Sequence, residues 1–308
     1  MSRISGGVAI FPSAPMAIRN GDVDHEYRQN SDFYYLTGFA EPGSVAVLVP
    51  DHPEHRFVLF VMPKKREEEV WTGWRAGEEG AKNDFLADAA FTMDKLDEEL
   101  PKLVQTADRI YYRLGIDKDF DQRIIGLMTR FQRARQRNGN GPNALVDPAD
   151  VLHEMRLVKA EEEIRSLRRA VDITAEGHLA AMRVLRPAMF EHEIEAVLRY
   201  EFLRHGSRRH GYAPIVASGA NSTVLHYTSN DRQMFEGDLL LIDAGAEYGY
   251  YTGDVTRTFP VSGTFTEDQS TIYQLVLDAQ LAAIETVKPG AAFSDPHEVA
   301  LKVLVEGM

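Results

Sequence analysis

Residues 239–259 read LLLIDAGAEYGYYTGDVTRTF, two β-type runs on either side of Tyr248-Gly249. Glycine tolerates positive φ, so an X-Gly pair between such runs signals a hairpin. With those two residues as the loop, Glu247 pairs with Tyr250. Counting outward, Asp243 then faces Asp254 on one side of the ribbon, with Cβ atoms ~4.5–5.5 Å apart. A bulge would move that pairing by one residue. Leu241 and Ile242 indicate a buried strand, and buried like charges at this separation require a cation or a shared proton. The small neighbours Ala244, Gly245 and Gly253 are expected to leave room for ions and substrate. The competing reading has one aspartate capping a turn and the other on a solvated face. An arbitrary Asp-x10-Asp spacing would favour that. Here the hairpin count and the apolar strand favour half of a divalent-metal site.

Composition narrows the metal and the partners. The chain has no cysteine, which excludes disulfides and thiolate ligands. Carboxylates and imidazoles must hold any ion, favouring Mn²⁺, Co²⁺ or Zn²⁺. Lys and Arg number 34 against 47 Asp and Glu, a formal charge of −13. Phosphate contacts need clustered cations, so no nucleic-acid partner is expected. The basic stretch RFQRARQR at 130–137 reads as a solvated helix end. No run approaches the ~18 apolar residues of a membrane span. The opening MSRISGGVAIFPSAPMAIRN lacks the form of a signal peptide, so the expected location is cytoplasmic.

A length of 308 residues suits about two domains. Breakers at 138–143 (NGNGPN) precede a boundary, which is set at 150/151. In domain 1–150, the runs 44–49 and 56–62 read as neighbouring strands and 109–113 as another. Helices are expected over 94–105, where Pro101 is a potential break, and over 119–137. In domain 151–308, helices cover 159–185 and 191–205, the latter ended by Gly206. Apolar or small residues at Ile164, Leu167, Ala170, Val171, Thr174 and His178 mark the buried face of the first. Strands follow at 215–217, 239–243 and 251–259. Thr266 with Gln269 forms a capping-box pattern. A last helix starts near Ser294, and its apolar face (Val299, Val303, Leu304) has no evident partner in the sequence. His226, after the Gly-rich turn at 217–221, is a candidate to hydrogen-bond a substrate carbonyl or an oxyanion beside the metals. His153, His178, His192, His205 and His210 read as structural or surface residues.

The run IDAGAEYGYYTGDVTRTFPVSG, through Gly263, resembles the metal-binding hairpin of the pita-bread metallopeptidases. That group contains Xaa-Pro aminopeptidase, prolidase, methionine aminopeptidase and creatinase. YRQNSDFYYLTGF (27–39) is similar to the N-terminal domain of the Xaa-Pro aminopeptidases. HEMRLVKAEEEIRSLRRA (153–170) resembles their inter-domain segment, and IVASGANSTVLHY (215–227) their substrate-side strand and histidine. The resemblance implies an α/β (α+β) chain: a creatinase-like N-terminal domain with a mixed sheet, then the first half of a pita-bread fold. It also implies a dinuclear site, usually of Mn²⁺, with Asp243 on one ion, Asp254 bridging both, and His226 contacting substrate. A bridging hydroxide would attack the scissile carbonyl and release the N-terminal residue of peptides with proline in second position.

Some features depart from the family. Its Arg-Pro-Gly after the first long helix reads Arg186-Pro187-Ala188 here. Its remaining ligands, a His and two Glu, lie downstream, and His297-Glu298 stands in the wrong context to replace them. The expectation is therefore a catalytic domain truncated at its C-terminus, unable to hold both ions tightly or to hydrolyse peptides. Alternatives are a prolidase restricted to Xaa-Pro dipeptides and a non-catalytic pita-bread interaction protein. Family members often form homo-oligomers in which first-domain aromatics approach a neighbour's site. Trp71 is placed either in that role or as an ordinary packing residue.

Overall fold

Apolar, β-branched runs in the first half pair into one sheet. The computed structural model describes residues 1–308, apart from the side chains of Gln136 and Asn138. It divides into two units, Met1–Lys159 and Ala160–Met308. The first unit has strands Gly7–Pro12 (β1), Val45–Leu48 (β2), Phe57–Val61 (β3), Ala89–Thr92 (β4), Arg109–Tyr111 (β5) and Ala144–Val146 (β6). Their spatial order is β4-β3-β2-β1-β5-β6. β1–β2 and β2–β3 are antiparallel and the other neighbours parallel, so the sheet is mixed, as expected.

Two helices of this unit follow the sequence closely. Leu96–Val104 (α1) runs through Pro101 instead of breaking there, because Leu96, Leu100, Leu103 and Val104 are all buried. Each such burial is worth roughly 1.5–3 kcal/mol. Together they outweigh the ~3 kcal/mol cost of a helix-interior proline. Lys118–Asn138 (α2) begins where Asp117 accepts hydrogen bonds from the Asp119 and Phe120 amides, and ends at Gly139 with φ +74°. The boundary set at 150/151 falls inside helix Ala149–Leu157 (α3), which belongs to the first unit.

The second unit opens with Glu161–Val184 (α4) and Glu191–Arg204 (α5). The buried face of α4 is Ala170, Ile173, Thr174, Gly177, His178 and Ala181. Ile164 and Val171, which the periodicity assigned to that face, are 38% and 45% exposed. The stripe is therefore rotated toward the small residues, which lets neighbouring chain approach closely. Strands follow at Arg209–His210 (β7), Ile215–Ser218 (β8), Leu239–Ala244 (β9), Ala246–Tyr248 (β10), Tyr251–Thr252 (β11) and Val255–Pro260 (β12). They form two antiparallel three-stranded sheets, β8-β9-β12 and β11-β10-β7. Alternation along β9 buries Leu240, Ile242 and Ala244 in the core with Ile173, Ile194 and Leu198. The opposite face carries Leu239, Leu241 and Asp243. With Thr256, Thr258 and helix Glu267–Thr286 (α6), the two leucines border a mainly apolar cavity of about 840 Å³.

The capping box forms: Thr266 Oγ1 accepts from the Gln269 amide at 3.2 Å and Gln269 Oε1 from the Thr266 amide at 3.0 Å. Asp295–Gly307 (α7) packs along α6, leaving Val299, Val303 and Leu304 half-buried. That face has a partner after all.

At the departure Arg186-Pro187-Ala188, Ala188 adopts φ +73°. Its amide donates to Met234 O at 2.9 Å, which holds the turn. A left-handed L-residue costs roughly 1–2 kcal/mol, partly offset by the smaller entropy an alanine loses on folding. The exposed methyl contributes no packing. Ala188→Gly is therefore expected to raise stability by about 0.5–1 kcal/mol, read as a higher denaturant midpoint at unchanged slope.

Candidate metal centre

The hairpin forms, but its loop is one residue later than the sequence count placed it. Gly249 and Tyr250 occupy the turn with φ +58° and +67°, the two positive values of a type I′ turn. Tyr248 pairs with Tyr251 and Glu247 with Thr252. The same register continues to Ala244 opposite Val255 and Asp243 opposite Thr256. Asp243 therefore does not face Asp254 directly, and the predicted pairing is off by two residues. The tip is fixed from its other side, where β10 pairs with β7 and the buried Glu247 meets Arg209 at 3.2 Å. A one-residue slip would have turned Asp254 to the other face. A two-residue slip keeps it on the same face, diagonal to Asp243.

Tyr212 brings the two carboxylates to one point. Its hydroxyl lies 2.5 Å from Asp243 Oδ1 and 2.9 Å from Asp254 Oδ1. Burial, then its hydrogen bonds to the two aspartates, push the phenol pKa far up, so the group stays a donor. One hydroxyl carries one proton and cannot satisfy two carboxylates. The pair is thus short of positive charge and donors at a shared position. Asp243 is half-buried and Asp254 exposed, so the site is more open than the buried pair the sequence suggested. Oxygen ligands alone suit a hard divalent cation, and the pair fits as part of a ligand set. Among the described residues, no group of three or more His, Asp or Glu is placed to hold one ion. His297 and Glu298 lie exposed in the first turn of α7.

The small residues around the aspartates serve a different purpose from the one expected. A Cβ on Gly253 would fall 2.4 Å from Thr174 Oγ1 and 3.0 Å from Ala170 O. One on Gly245 would fall 1.6 Å from Gly253 O. The space over the two glycines is filled by helix α4 and by the opposing strand, so their smallness serves packing of the hairpin. Thr174 Oγ1 donates to Ala170 O at 2.7 Å and accepts from the Ala246 amide at 2.9 Å, tying the hairpin to the helix.

His178, expected to be structural or on the surface, is buried on this same face of α4, and neither ring nitrogen has a hydrogen-bond partner. Burial lowers its pKa. The backbone of Ala244 and Val255, each following an aspartate, and the charges of Arg257 and Asp243 act on it too. His178 thus takes the structural place expected of it, whereas Tyr212 was not legible as a partner of the two aspartates. Tyr212 lies 31 and 42 positions before its two partners, with no ligand spacing to mark it.

His226 is exposed in the turn at 225–226 and makes no hydrogen bond to either aspartate. Its loop leaves β8 at Ser218 and returns to Asn230, whose side chain accepts from the Val216 amide and donates to Pro214 O. Ile215, between those residues, pairs with Asp243, so the returning chain reaches the level of the carboxylates. The loop packs on Glu191 of α5, a fully buried carboxylate. Burial raises its pKa, but hydrogen bonds from Ser218, Tyr227 and the Arg232 amide outweigh this and hold it below 4.5.

Both halves of the chain match known families. Residues 165–308 match metallopeptidase family M24, and residues 1–111 match the aminopeptidase P N-terminal domain. The Xaa-Pro aminopeptidase of Escherichia coli is 39% identical over 98% of this chain and 69% of its own length. The Xaa-Pro aminopeptidase of Haemophilus influenzae is 38% identical over 94% and 65%. The structure of the aminopeptidase PepP of Pseudomonas aeruginosa superposes with TM-score 0.95 and 44% identity, covering 98% of this chain and 68% of that one. Zn-substituted E. coli aminopeptidase P in complex with product gives 0.94 and 39% over 98% and 69%. The fold is thus that of a pita-bread metallopeptidase preceded by an aminopeptidase-type domain. Within that class, the chain belongs to the aminopeptidase P, or Xaa-Pro aminopeptidase, family.

Gly253→Ala is expected to destabilise the chain by roughly 1–3 kcal/mol through overpacking against α4, measured by chemical denaturation. Glu191→Gln is expected to cost roughly 2–3 kcal/mol at pH 7. Its folded-state pKa is below the free value of 4.5, so the unfolded chain takes up the proton first. The stabilisation is full above pH 4.5 and is lost as pH falls through the folded-state value. Melts at pH 7 and at successively lower pH should show a flatter acid limb for Glu191→Gln than for wild type.

Proposed function

We propose that this protein is a metal-dependent aminopeptidase that releases the N-terminal residue from peptides with proline in second position, with hydrolysis requiring further metal ligands that the described residues do not bring to the two aspartates. Asp243 and Asp254 are proposed as ligands of a divalent-metal site, with Mn²⁺ as the favoured ion. His226 is proposed as the side chain that contacts the substrate. The observation that carries the reading is the convergence of both carboxylates on one phenol oxygen. It is supported by membership of a family whose relatives are Xaa-Pro aminopeptidases.

A divalent cation at this position would polarise the scissile carbonyl and make bound water acidic. The chain's own residues contribute position and charge. Asp243 and Asp254 present oxygens from one face of a hairpin that α4 holds rigid. Tyr212, kept protonated, orients both carboxylates. His226, on the returning loop, donates to the substrate carbonyl oxygen and stabilises charge as it develops there.

Trp71 and Trp74 are 86% and 88% exposed, so neither is a packing residue within this chain. Their exposure supports a homo-oligomer in which the first unit meets a neighbouring copy. No helix of the described residues is long and apolar enough to cross a membrane. A cytoplasmic location is proposed from the likeness to the bacterial enzymes.

Isothermal titration with MnCl₂ tests the ligand assignment. Wild-type chain is expected to bind Mn²⁺, and Asp243→Asn and Asp254→Asn each to weaken binding by at least about tenfold, as loss of a ligand to a hard cation does. Binding unchanged in both variants would overturn the assignment. Turnover confined to Xaa-Pro dipeptides would replace the aminopeptidase with a prolidase.

A further inference from the structure

Glu191 opens helix α5, and its side chain is completely buried. A buried carboxylate is costly unless its oxygens are matched by donors. Here they are. Oε1 accepts from the Ser218 amide at 2.7 Å, the Ser218 hydroxyl at 2.7 Å and Asn221 Nδ2 at 3.4 Å. Oε2 accepts from the Arg232 amide at 3.0 Å and from the Tyr227 hydroxyl at 2.7 Å, the nearer of that hydroxyl's two carboxylates, Asp231 Oδ1 standing at 3.2 Å. The Glu191 amide in turn donates to Arg232 O at 3.0 Å.

All five donors come from the segment between Ser218 and Arg232. The carboxylate grips the loop at its start, at its end and at Tyr227, the residue next to His226. A loop that only had to close could rely on turn residues, without a buried charge. This one is held from inside by one carboxylate at four residues, Ser218, Asn221, Tyr227 and Arg232. Asn230 adds a second anchor at the level of Asp243, and its Nδ2 also bonds Glu195 Oε2 at 2.8 Å. With Tyr227 drawn inward to Glu191, His226 is left exposed and held only through its neighbours.

We propose that Glu191 is a positioning residue that acts through Tyr227 to set where His226 stands beside the carboxylate site. The inference rests on the reading of Asp243 and Asp254 as metal ligands with His226 as their substrate-side neighbour.

The test is NMR of the full chain labelled in histidine, with Mn²⁺ added as a paramagnetic probe. The His226 signal is assigned by its disappearance in His226→Gln. In wild type, Mn²⁺ is expected to broaden the His226 ring signal, and Asp243→Asn to abolish that effect. In Glu191→Gln the broadening is expected to weaken, because the distance to the ion is no longer fixed. Amide exchange at Ser218 and Arg232 should quicken about tenfold or more, as loss of a charged hydrogen bond implies. Tyr227→Phe deletes one donor and leaves the buried charge with four, so it serves if Glu191→Gln does not fold. Gly177→Ala is the control for general destabilisation, since its Cβ would strike Phe202 within the α4–α5 packing at 2.6 Å.

Movement of the His226 signal in Glu191→Gln or Tyr227→Phe, but not in Gly177→Ala, supports the proposal. Broadening in wild type that both variants leave intact overturns it, as does an equal change in the control. If Mn²⁺ never affects His226, or does so regardless of Asp243, the reading of the site itself fails and the proposal falls with it.

Discussion

No β-carbon fits between Gly253 and helix α4, and the placement of both aspartates follows from that contact. The backbone of the hairpin rests on Ala170 and Thr174, and the Thr174 hydroxyl serves both helix and strand. Interiors packed to crystal density do not deform gradually. The hairpin therefore has one seat. Asp254 leaves that seat immediately after Gly253, while Asp243 sits on the paired strand, and their oxygens meet at Tyr212. The other sheet fixes the tip through Arg209 and Glu247. The carboxylates can thus converge without any bond between them.

Three sets of carboxylates in this unit are treated in different ways. Glu191 has four donors of its own and the nearer share of the Tyr227 hydroxyl, which also faces Asp231, and Glu247 has a cation beside it. Asp243 and Asp254 share one phenol proton. The under-supply of donors at this pair, beside carboxylates that the fold satisfies, is what the proposed metal site rests on. His178 is buried on α4 beside the backbone of Ala244 and Val255, the residues that follow the two aspartates.

Much of this was legible in the sequence because it is local. Paired apolar runs, the Thr266–Gln269 cap and the hairpin around Gly249 all depend on residues a few positions apart. The register was missed by two residues because an X-Gly pair does not say which turn position the glycine takes. Here it takes the first, and Tyr250 accepts a positive φ. The aspartates still shared a face because an even slip preserves alternation. Sequence shows where bulk is missing but not what fills the gap, so Gly245 and Gly253 read as open space where the fold places α4 and the opposing strand. Tyr212 and Glu191 were invisible because their partners are brought to them only by the fold. The α7 face has no evident partner in the sequence for the same reason: α6 covers it after a turn that local patterning does not describe.

The central claim is that Asp243 and Asp254 converge on a cation. The most direct measurement is anomalous scattering from crystals of this chain grown with MnCl₂. The account predicts a manganese peak at about 2–2.5 Å from carboxylate oxygens of both aspartates, with the Tyr212 hydroxyl still bonded to at least one of them. A peak elsewhere, or none beside an unchanged Tyr212 bridge, would contradict it.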